Sequence, residues 1–321
     1  MFPSKDHLTI LFAHIAYPMQ DRFALRNTGI ASIQARSRDE LDARIAQADV
    51  PLCSGLWRND LIARAPKLRF VQSISAGTDQ YDKPALSAAG IRLASAAGVN
   101  ARAVSEHAMA LILALTRRLP EARDNQGKQF WRGMIGDPAG REDELGGKTL
   151  VIVGLGRIGN RLAQLAKAFD MRVLATRRDP AAGGDAHEVH GMSALKSLLP
   201  QADFVALTCP ITPETERLIN AETLALMKPS AALINVARGR CVDEPALIAA
   251  LNAGRLTAAA LDTTVEEPLA PASPLWTMPN VFVTPHSAGE TRRYEDNVLD
   301  ILVENLDRLS RGETQLRNQI V

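Results

Sequence analysis

An arginine, a glutamate and a histidine stand just after three successive apolar runs in the second half of the chain: Arg238, Glu267 and His286. Arginine binds a carboxylate through two parallel hydrogen bonds, and histidine titrates near neutral pH, so it can give and recover a proton. A carboxylate against the other ring nitrogen orients the imidazole and favours its charged form. Because ligands of open α/β sheets bind at the carboxyl ends of the strands, these side chains are expected to converge. Together they suit hydride transfer to a 2-oxo acid.

A glycine-rich loop precedes these residues and has the pattern of a dinucleotide-binding turn. The apolar run Thr149–Val153 leads into Gly154-x-Gly156-x-x-Gly159, and an amphipathic stretch follows. The three glycines allow a tight turn, a close approach of the backbone to a pyrophosphate, and close packing of the helix on the strand. The helix N-terminus adds N–H donors and a partial positive charge. The motif therefore predicts a nicotinamide dinucleotide cofactor.

The residues after the next strand bear on the choice between NAD and NADP. An acidic residue about 20 positions after the glycine loop binds the ribose 2′-OH of NAD. Here Thr176 is followed by Arg177 and Arg178, and two arginines suit a 2′-phosphate. NADP is therefore the expected cofactor, with Thr176, Arg177 and Arg178 as part of its site. In the alternative, both arginines face solvent and Asp179 binds the ribose of NAD.

Apolar runs alternate with helix-like stretches on both sides of a long central helix. The runs that predict strands are Leu8–Ala13, Ala31–Gln34, Pro51–Ser54, Arg69–Ile74, Ile91–Ala94, Thr149–Val153, Arg172–Thr176, Phe204–Thr208, Ala232–Val236, Ala258–Asp262 and Val281–Thr284. This alternation predicts parallel sheets with helices on both faces. We expect two Rossmann-like or flavodoxin-like doubly wound α/β domains with a cleft between them. The dinucleotide-binding domain would be 100–287, and the substrate domain would combine 1–99 with 288–321.

Two long amphipathic helices are predicted at 101–118 and 291–310, where the chain crosses between the expected domains. Pro120 ends the pattern of the first helix. Residues 123–147 are more polar, contain several glycines and read as an irregular stretch that holds Trp131.

Composition and charge exclude several classes of protein. Lys and Arg number 37 and Asp and Glu 36, so the net charge of +1 argues against nucleic acid or an anionic membrane as partner. Three cysteines without a short repeated spacing exclude a disulfide scaffold and a cysteine zinc knuckle. His187 and His190 have no third ligand nearby, so no metal is expected. No apolar run approaches the roughly 20 residues of a membrane span, and a cytoplasmic location is expected.

With these motifs in this order, the sequence resembles the D-isomer-specific 2-hydroxyacid dehydrogenases. The resemblance covers most of the chain and is strongest from Gly147 to Gly289. The matching stretches are Gly154–Gly159, Thr208–Thr215, Asn235–Glu244, Leu261–Leu269 and Thr284–Gly289. At position 177 the chain departs from the NAD-type pattern and is similar to members that use NADP, notably glyoxylate/hydroxypyruvate reductases.

The resemblance implies a role for each residue of the candidate site. Arg238 would bind the substrate carboxylate and carbonyl, His286 would be the general acid/base, and Glu267 would be its partner. Of two adjacent glutamates, Glu267 is the match, because it stands directly before a proline. Other cofactor contacts would come from Gly154, Gly156, Arg157, Ile158, Gly159, Thr208, Cys209, Pro210, Thr215, Val236, Ala237, Asp262 and Val104. Among these, Asp262 would hold the nicotinamide carboxamide, and Arg157 and Ile158 would offer backbone N–H groups to the pyrophosphate.

The resemblance also implies residues that meet the substrate and a second subunit. The loop Ser75-Ala76-Gly77 would hold the substrate carboxylate through its backbone N–H groups. Independently of the resemblance, Trp57 stands on a loop after a predicted strand and would either line the substrate pocket or pack as an aromatic. Glu106 and His107 are interpreted as structural. Trp131 lies where the family builds its dimer interface and can approach the partner's active site, so a homodimer is expected.

Two alternatives to a 2-oxo acid reductase are open. One is a nucleotide-sensing binding protein that keeps the fold, as transcriptional corepressors resembling this family do. The complete set of Arg238, Glu267 and His286 argues against lost chemistry. The other is a dehydrogenase for a different donor, such as phosphite or formate. Formate enzymes carry glutamine where this chain has Glu267, which disfavours that alternative.

Overall fold

The computed structural model describes residues 2–321, which form two compact units. Unit 1 holds the residues up to Asn100 together with Thr291–Val321, and unit 2 is Ala101–Glu290. These bounds lie one and three residues from the domain limits expected from the sequence. Each unit is built on its own parallel sheet.

The strands follow one another along the chain as β1 (Thr9–Ala13), β2 (Ala31–Ala35), β3 (Val50–Cys53), β4 (Phe70–Ser73), β5 (Arg92–Ala94), β6 (Thr149–Val153), β7 (Arg172–Thr176), β8 (Glu188–His190), β9 (Phe204–Leu207), β10 (Ala232–Asn235), β11 (Ala258–Leu261) and β12 (Val281–Val283). The α-helices are α1 (Met19–Ala24), α2 (Arg38–Arg44), α3 (Leu61–Arg64), α4 (Lys83–Ala88), α5 (Ala101–Thr116), α6 (Leu119–Gly127), α7 (Arg157–Ala168), α8 (Leu195–Leu198), α9 (Ala221–Leu226), α10 (Glu244–Asn252) and α11 (Tyr294–Ser310).

Unit 1 has a five-stranded sheet in the order β2-β1-β3-β4-β5, with every pair parallel. This is the strand order of flavodoxin-like folds. Strands β3 and β4 are buried at every position, as expected for a parallel sheet covered on both faces. The long helix α11 packs its leucines and Val298 into the same core as β1.

Unit 2 has a seven-stranded sheet in the order β12-β11-β10-β9-β6-β7-β8, again parallel throughout. Along β6, Leu150 and Ile152 enter one apolar core while Val151 and Val153 enter the core on the opposite face. This alternation follows from the pleat of a strand. The strand order reverses between β6 and β9, which is where such sheets bind their ligands. The prediction of parallel-sheet α/β architecture for both parts of the chain is confirmed.

The structure adds the elements α6 and β8 to those predicted, and α6 extends into the stretch 123–147 that was expected to be irregular. Pro120 follows the end of α5 at Thr116, but it also lies in the first turn of α6, where proline is favoured because its missing N–H has no partner in a helix start. The stretch around His187 contains a short edge strand, β8, which accompanies β7. No helix within residues 2–321 has both the length and the apolar character needed to cross a membrane.

Candidate active site

A histidine and a glutamate form a close pair beyond the carboxyl ends of β11 and β12. The Nδ1 atom of His286 lies 2.7 Å from Oε2 of Glu267, and the second carboxylate oxygen accepts a hydrogen bond from the backbone N–H of Thr264 at 3.2 Å. The carboxylate is thus held on both oxygens. His286 has a φ of 52°, in the left-handed region that non-glycine residues seldom occupy. With Nδ1 engaged, Nε2 is the ring nitrogen that can exchange a proton with a ligand.

Asp262 ties the histidine loop to β11. The residue is 2% exposed, and its carboxylate accepts hydrogen bonds from the hydroxyl of Thr284 at 2.6 Å and from the backbone N–H groups of Ser287 and Ala288 at 2.9 and 3.1 Å. Its carbonyl accepts a hydrogen bond from the N–H of His286 at 2.8 Å. The left-handed turn at His286 is therefore held from both sides by one aspartate.

Arg238 lies just beyond the carboxyl end of β10. Asp262 follows the neighbouring strand β11 at the same edge of the sheet. Its guanidinium donates a hydrogen bond to the carbonyl of Ala237 at 2.7 Å, and the residue is exposed. The next residue, Gly239, packs against the backbone of the Thr264 loop: a Cβ there would lie 2.0 Å from the Thr264 carbonyl. Only glycine lets the arginine segment approach the segment that carries Glu267.

The glycine loop between β6 and α7 has the shape that a pyrophosphate needs. Gly154 has a φ of 99°, and a Cβ there would lie 2.7 Å from the backbone of Cys209. A Cβ at Gly159 would lie 2.6 Å from the Gly154 carbonyl, whereas one at Gly156 would have no heavy atom within 4 Å. Helix α7 begins at Arg157, directly after Gly156, so the partial positive charge of its N-terminus lies at the loop. These residues fit a dinucleotide.

A cavity of about 620 Å³ opens beside the glycine loop, on the side where the strand order reverses. Its wall includes Arg177, Arg178 and Asp179. The Arg177 guanidinium donates a hydrogen bond to the Gly183 carbonyl, and the carboxylate of Asp179 accepts one from the N–H of Ala181 at 3.1 Å. One oxygen of Asp179 is thus engaged by its own turn, and all three side chains lie in the wall where a ribose 2′ substituent would be bound.

Several residues predicted to bind the cofactor line this cavity, among them Thr208, Cys209 and Thr215, and they also make hydrogen bonds within its wall. The Thr208 hydroxyl donates to the Gly154 carbonyl at 2.8 Å, and the Thr215 hydroxyl donates to the Pro210 carbonyl at 2.7 Å. The side chain of Thr176 is fully buried, while its carbonyl accepts from the amides of Gly154 and Leu155. Others predicted as cofactor contacts are mostly buried as well, namely Val104, Cys209, Val236 and Ala237. These side chains shape the loops, so any contact they make is limited to a small exposed edge.

The cavity is also lined by residues that the sequence did not single out. Met192 and Glu214 lie in its wall. The Thr212 hydroxyl bound to the Glu214 carboxylate holds the pKa of that carboxyl below its usual range, and Arg178 adds to the effect. Glu214 belongs to the Thr208–Thr215 motif, so its place in the motif was the available signal. Met192 stands in a segment without any such signal.

In unit 1, only some backbone N–H groups of the loop after β4 are unbonded and thus available to hold a substrate carboxylate. The Ser75 N–H donates to the hydroxyls of Ser54 and Ser73 at 3.0 and 3.1 Å. The hydrogen of this amide is thus already bound within unit 1, and its contact with the substrate carboxylate stays a prediction. Within residues 2–321, the amides of Ala76 and Gly77 have no acceptor.

Trp57 packs inside unit 1. It is 6% exposed, its ring lies against that of Tyr81 at 5.3 Å, and its indole N–H donates to Asn59 at 2.9 Å. Of the two roles open to it, the packing role accounts for these contacts, and a substrate contact stays a prediction. Trp131 is the opposite case: it is 96% exposed, beside the exposed Phe130 and Met134.

Comparison with known proteins places these motifs in a family. The model of the D-isomer specific 2-hydroxyacid dehydrogenase NAD binding domain matches residues 109–288. A protein of Yersinia enterocolitica named glyoxylate/hydroxypyruvate reductase B is 38% identical over 302 residues, which cover 92% of this chain and 92% of that one.

Solved structures agree over nearly the whole chain. A D-isomer specific 2-hydroxyacid dehydrogenase family protein from Aeromonas salmonicida superposes with a TM-score of 0.85 at 29% identity, over 98% of this chain and 99% of that chain. A D-isomer specific 2-hydroxyacid dehydrogenase from Xanthobacter autotrophicus Py2, in complex with NADPH and MES, superposes with a TM-score of 0.80 at 27% identity, over 98% of both chains.

Proposed function

Because the chain belongs to the D-isomer-specific 2-hydroxyacid dehydrogenases, and is thus an oxidoreductase, we propose that it reduces a small 2-oxo acid of the glyoxylate or hydroxypyruvate kind. The product would be the D-2-hydroxy acid. The observation that carries this proposal is the His286–Glu267 pair at 2.7 Å, fixed at the ligand-binding edge of the dinucleotide-binding sheet. The name of the relative from Yersinia enterocolitica supports the choice of substrate class.

His286 is the proton donor in this proposal. When bound, a nicotinamide cofactor would supply the hydride that the carbonyl carbon needs. His286 donates the Nε2 proton to the carbonyl oxygen, so that the C=O double bond becomes a C–O single bond with one new C–H and one new O–H bond. The Glu267 carboxylate faces Nδ1 and stabilises the imidazolium that precedes the transfer. In the reverse direction, the neutral ring takes the hydroxyl proton back.

Arg238 acts on the substrate carboxylate in this proposal. The Arg238 guanidinium offers two parallel N–H donors, which match the geometry of a carboxylate. In unit 1, the amides of Ala76 and Gly77 have no internal acceptor among the described residues, and their contact with the substrate stays a prediction. Because Arg238 would bind a carboxylate, an aldehyde or ketone without one should be a poor substrate.

NADPH is the proposed cofactor. Arg177 and Arg178 line the cavity beside the glycine loop, and the nearby Asp179 carboxylate is bound to its own turn. Two guanidinium groups suit the dianionic 2′-phosphate of NADPH, whereas the ribose diol of NADH gives them no anion to bind. Asp262 would orient the nicotinamide carboxamide at the other end of the site.

The direct test is the oxidation of NADPH and of NADH, followed at 340 nm with glyoxylate, hydroxypyruvate and pyruvate in turn. We expect turnover with glyoxylate or hydroxypyruvate and a preference for NADPH. Equal or better use of NADH would refute the 2′-phosphate assignment and leave the catalytic one intact. Tight NADPH binding without turnover of any 2-oxo acid would refute the proposed reaction.

We also propose that the protein is a homodimer that buries the segment around Trp131. Phe130, Trp131 and Met134 are exposed together, beside a cavity of about 670 Å³, and such apolar clusters usually mark an interface. Trp131→Ala should lower the mass measured by light scattering toward that of one chain, or weaken the dimer measurably on dilution. An unchanged mass together with an unchanged KM would refute this role. The cytoplasmic location stays a prediction.

A further inference from the structure

His107 joins the Asp262 cluster from a helix that the proposed mechanism does not use. Its Nε2 atom lies 3.0 Å from the Thr284 hydroxyl oxygen and 3.6 Å from Oδ1 of Asp262. The hydroxyl oxygen of Thr284 in turn lies 2.6 Å from that same carboxylate oxygen. Three side chains from α5, β11 and the segment after β12 therefore meet in one chain of hydrogen bonds.

The available hydrogens determine which group donates in each of these hydrogen bonds. An ionised carboxylate can only accept, so the single hydroxyl hydrogen of Thr284 points to Asp262. The threonine oxygen is then left with lone pairs toward His107, and a contact of 3.0 Å requires that Nε2 carry a hydrogen. His107 donates to Thr284, and Thr284 donates to Asp262. A donor that binds the hydroxyl oxygen also strengthens the bond that the hydroxyl makes.

The group at the end of this chain holds the turn of the catalytic histidine. The carboxylate of Asp262 accepts hydrogen bonds from the backbone N–H groups of Ser287 and Ala288, and its carbonyl accepts one from the N–H of His286. Ala288 is 4% exposed and belongs to the apolar cluster that contains Val104 and Ala108 of α5. Helix α5 thus reaches this loop twice, once by packing and once through His107.

We propose that His107 is a positioning residue for the reaction: through Thr284 it fixes the Asp262 carboxylate, and through Asp262 the turn that carries His286. The proposal rests on the proposed function for the roles of Asp262 and His286. It requires no proton transfer by His107 itself. Because a displacement of about 1 Å in a catalytic group can cost on the order of a hundredfold in rate, a bond two residues away can matter.

Four variants test the chain of bonds. His107→Leu removes the donor at similar volume, whereas His107→Gln keeps an N–H that can reach Thr284. Thr284→Val removes the hydroxyl, and Thr284→Ser restores it. We expect kcat/KM to fall about tenfold in His107→Leu and to stay within about threefold in His107→Gln and Thr284→Ser. Glu106→Gln, one residue away on the same helix, is the control and should stay within about twofold.

The double variant distinguishes an effect of His107 that is transmitted through Thr284, here called the relay, from a general packing effect. If His107 acts through Thr284, adding His107→Leu to Thr284→Val should cost less than about twofold more. The same cycle is measured in dissociation constants for NADPH by fluorescence, which needs no turnover. Independent, multiplying losses would overturn the relay. A wild-type protein that reduces no 2-oxo acid would overturn the proposed function, and the NADPH cycle would then decide the relay alone.

The ligand-free protein offers a readout that does not depend on activity. The chain has six histidines, so the ring nitrogens of His107 can be resolved by ¹⁵N NMR and identified by their loss in His107→Gln. A hydrogen on Nε2 is the expected result. A neutral ring with its hydrogen on Nδ1 would overturn the proposal, because Nε2 could then not donate to Thr284.

Discussion

Replacing Glu267 by glutamine is the sharpest test of the proposed proton donor. The carboxylate now accepts two bonds at once, from Nδ1 of His286 at 2.7 Å and from the N–H of Thr264 at 3.2 Å. Glutamine has one acceptor oxygen and one NH₂ group in place of two oxygens. Either the oxygen stays on Nδ1 and the NH₂ group meets the Thr264 N–H, or the NH₂ group meets the protonated ring.

The size of the loss follows from these contacts. Hydrogen bonds to charged groups contribute about 1.5–3 kcal/mol. His286 and Glu267 have side chains that are 48% and 39% exposed, and solvent weakens such a pair, so the lower end applies. About 1.5–2 kcal/mol corresponds to a ten- to thirtyfold fall in kcat/KM for reduction.

The assay is NADPH oxidation with glyoxylate under limiting substrate, with the NADPH dissociation constant measured separately to exclude a cofactor effect. Glu266→Gln is the matched control, since its side chain makes no hydrogen bond to the described residues and should change the rate by less than about twofold. A loss below about threefold in Glu267→Gln, or a larger loss in Glu266→Gln, would refute the pairing as the source of the reactive imidazolium.

Three further predictions test the cofactor site, the packing of the arginine segment and a buried thiol. Arg177→Ala and Arg178→Ala should each weaken NADPH binding about tenfold and leave NADH binding unchanged; equal effects on both cofactors would contradict the 2′-phosphate assignment. Gly239→Ala should cost about 3 kcal/mol and lower Tm by roughly 6–12 °C, against little change for the unhindered Gly146→Ala; a Tm within about 2 °C of wild type would refute the clash. Burial raises the pKa of the Cys53 thiol to about 12, so its peptide should be alkylated at about pH 8 roughly a thousand times more slowly in the native than in the unfolded protein, as followed by mass spectrometry; comparable rates would show that the thiol is accessible.

Much of the architecture was predictable because it depends on local patterns. The apolar runs that predict β6, β7 and β9–β12 agree with the strands to within one residue at each end, and the glycine spacing marks the loop before α7. Buried parallel strands are apolar on both faces, so they stand out without knowledge of their neighbours. The short strand β8 did not stand out, because an edge strand of three residues has no such run.

The partners of the site residues were less predictable, because a sequence does not show which groups already satisfy one another. Ser75 stands where the resemblance expects a carboxylate donor, but the hydroxyls of Ser54 and Ser73 take its N–H. Trp57 likewise has its indole N–H bound to Asn59 and its ring buried. In both cases the competing partner lies within unit 1, and only the folded chain brings it close.

His107 shows what this limit means for the assignment of function. The residue sits 177 positions before Thr284 in the sequence, on a helix whose periodicity explains it as a half-buried position. Nothing in its own segment points to chemistry, and the interpretation as structural was the natural one. Its contact matters only because Asp262 is buried and must have its carboxylate satisfied by donors. Thr284 can be such a donor while its own oxygen accepts from His107. Because the buried Asp262 carboxylate needs hydrogen bonds, helix α5 is connected to the turn that carries His286. His107 has no chemical role of its own in the proposed reaction, and this connection makes it a candidate for control of the rate.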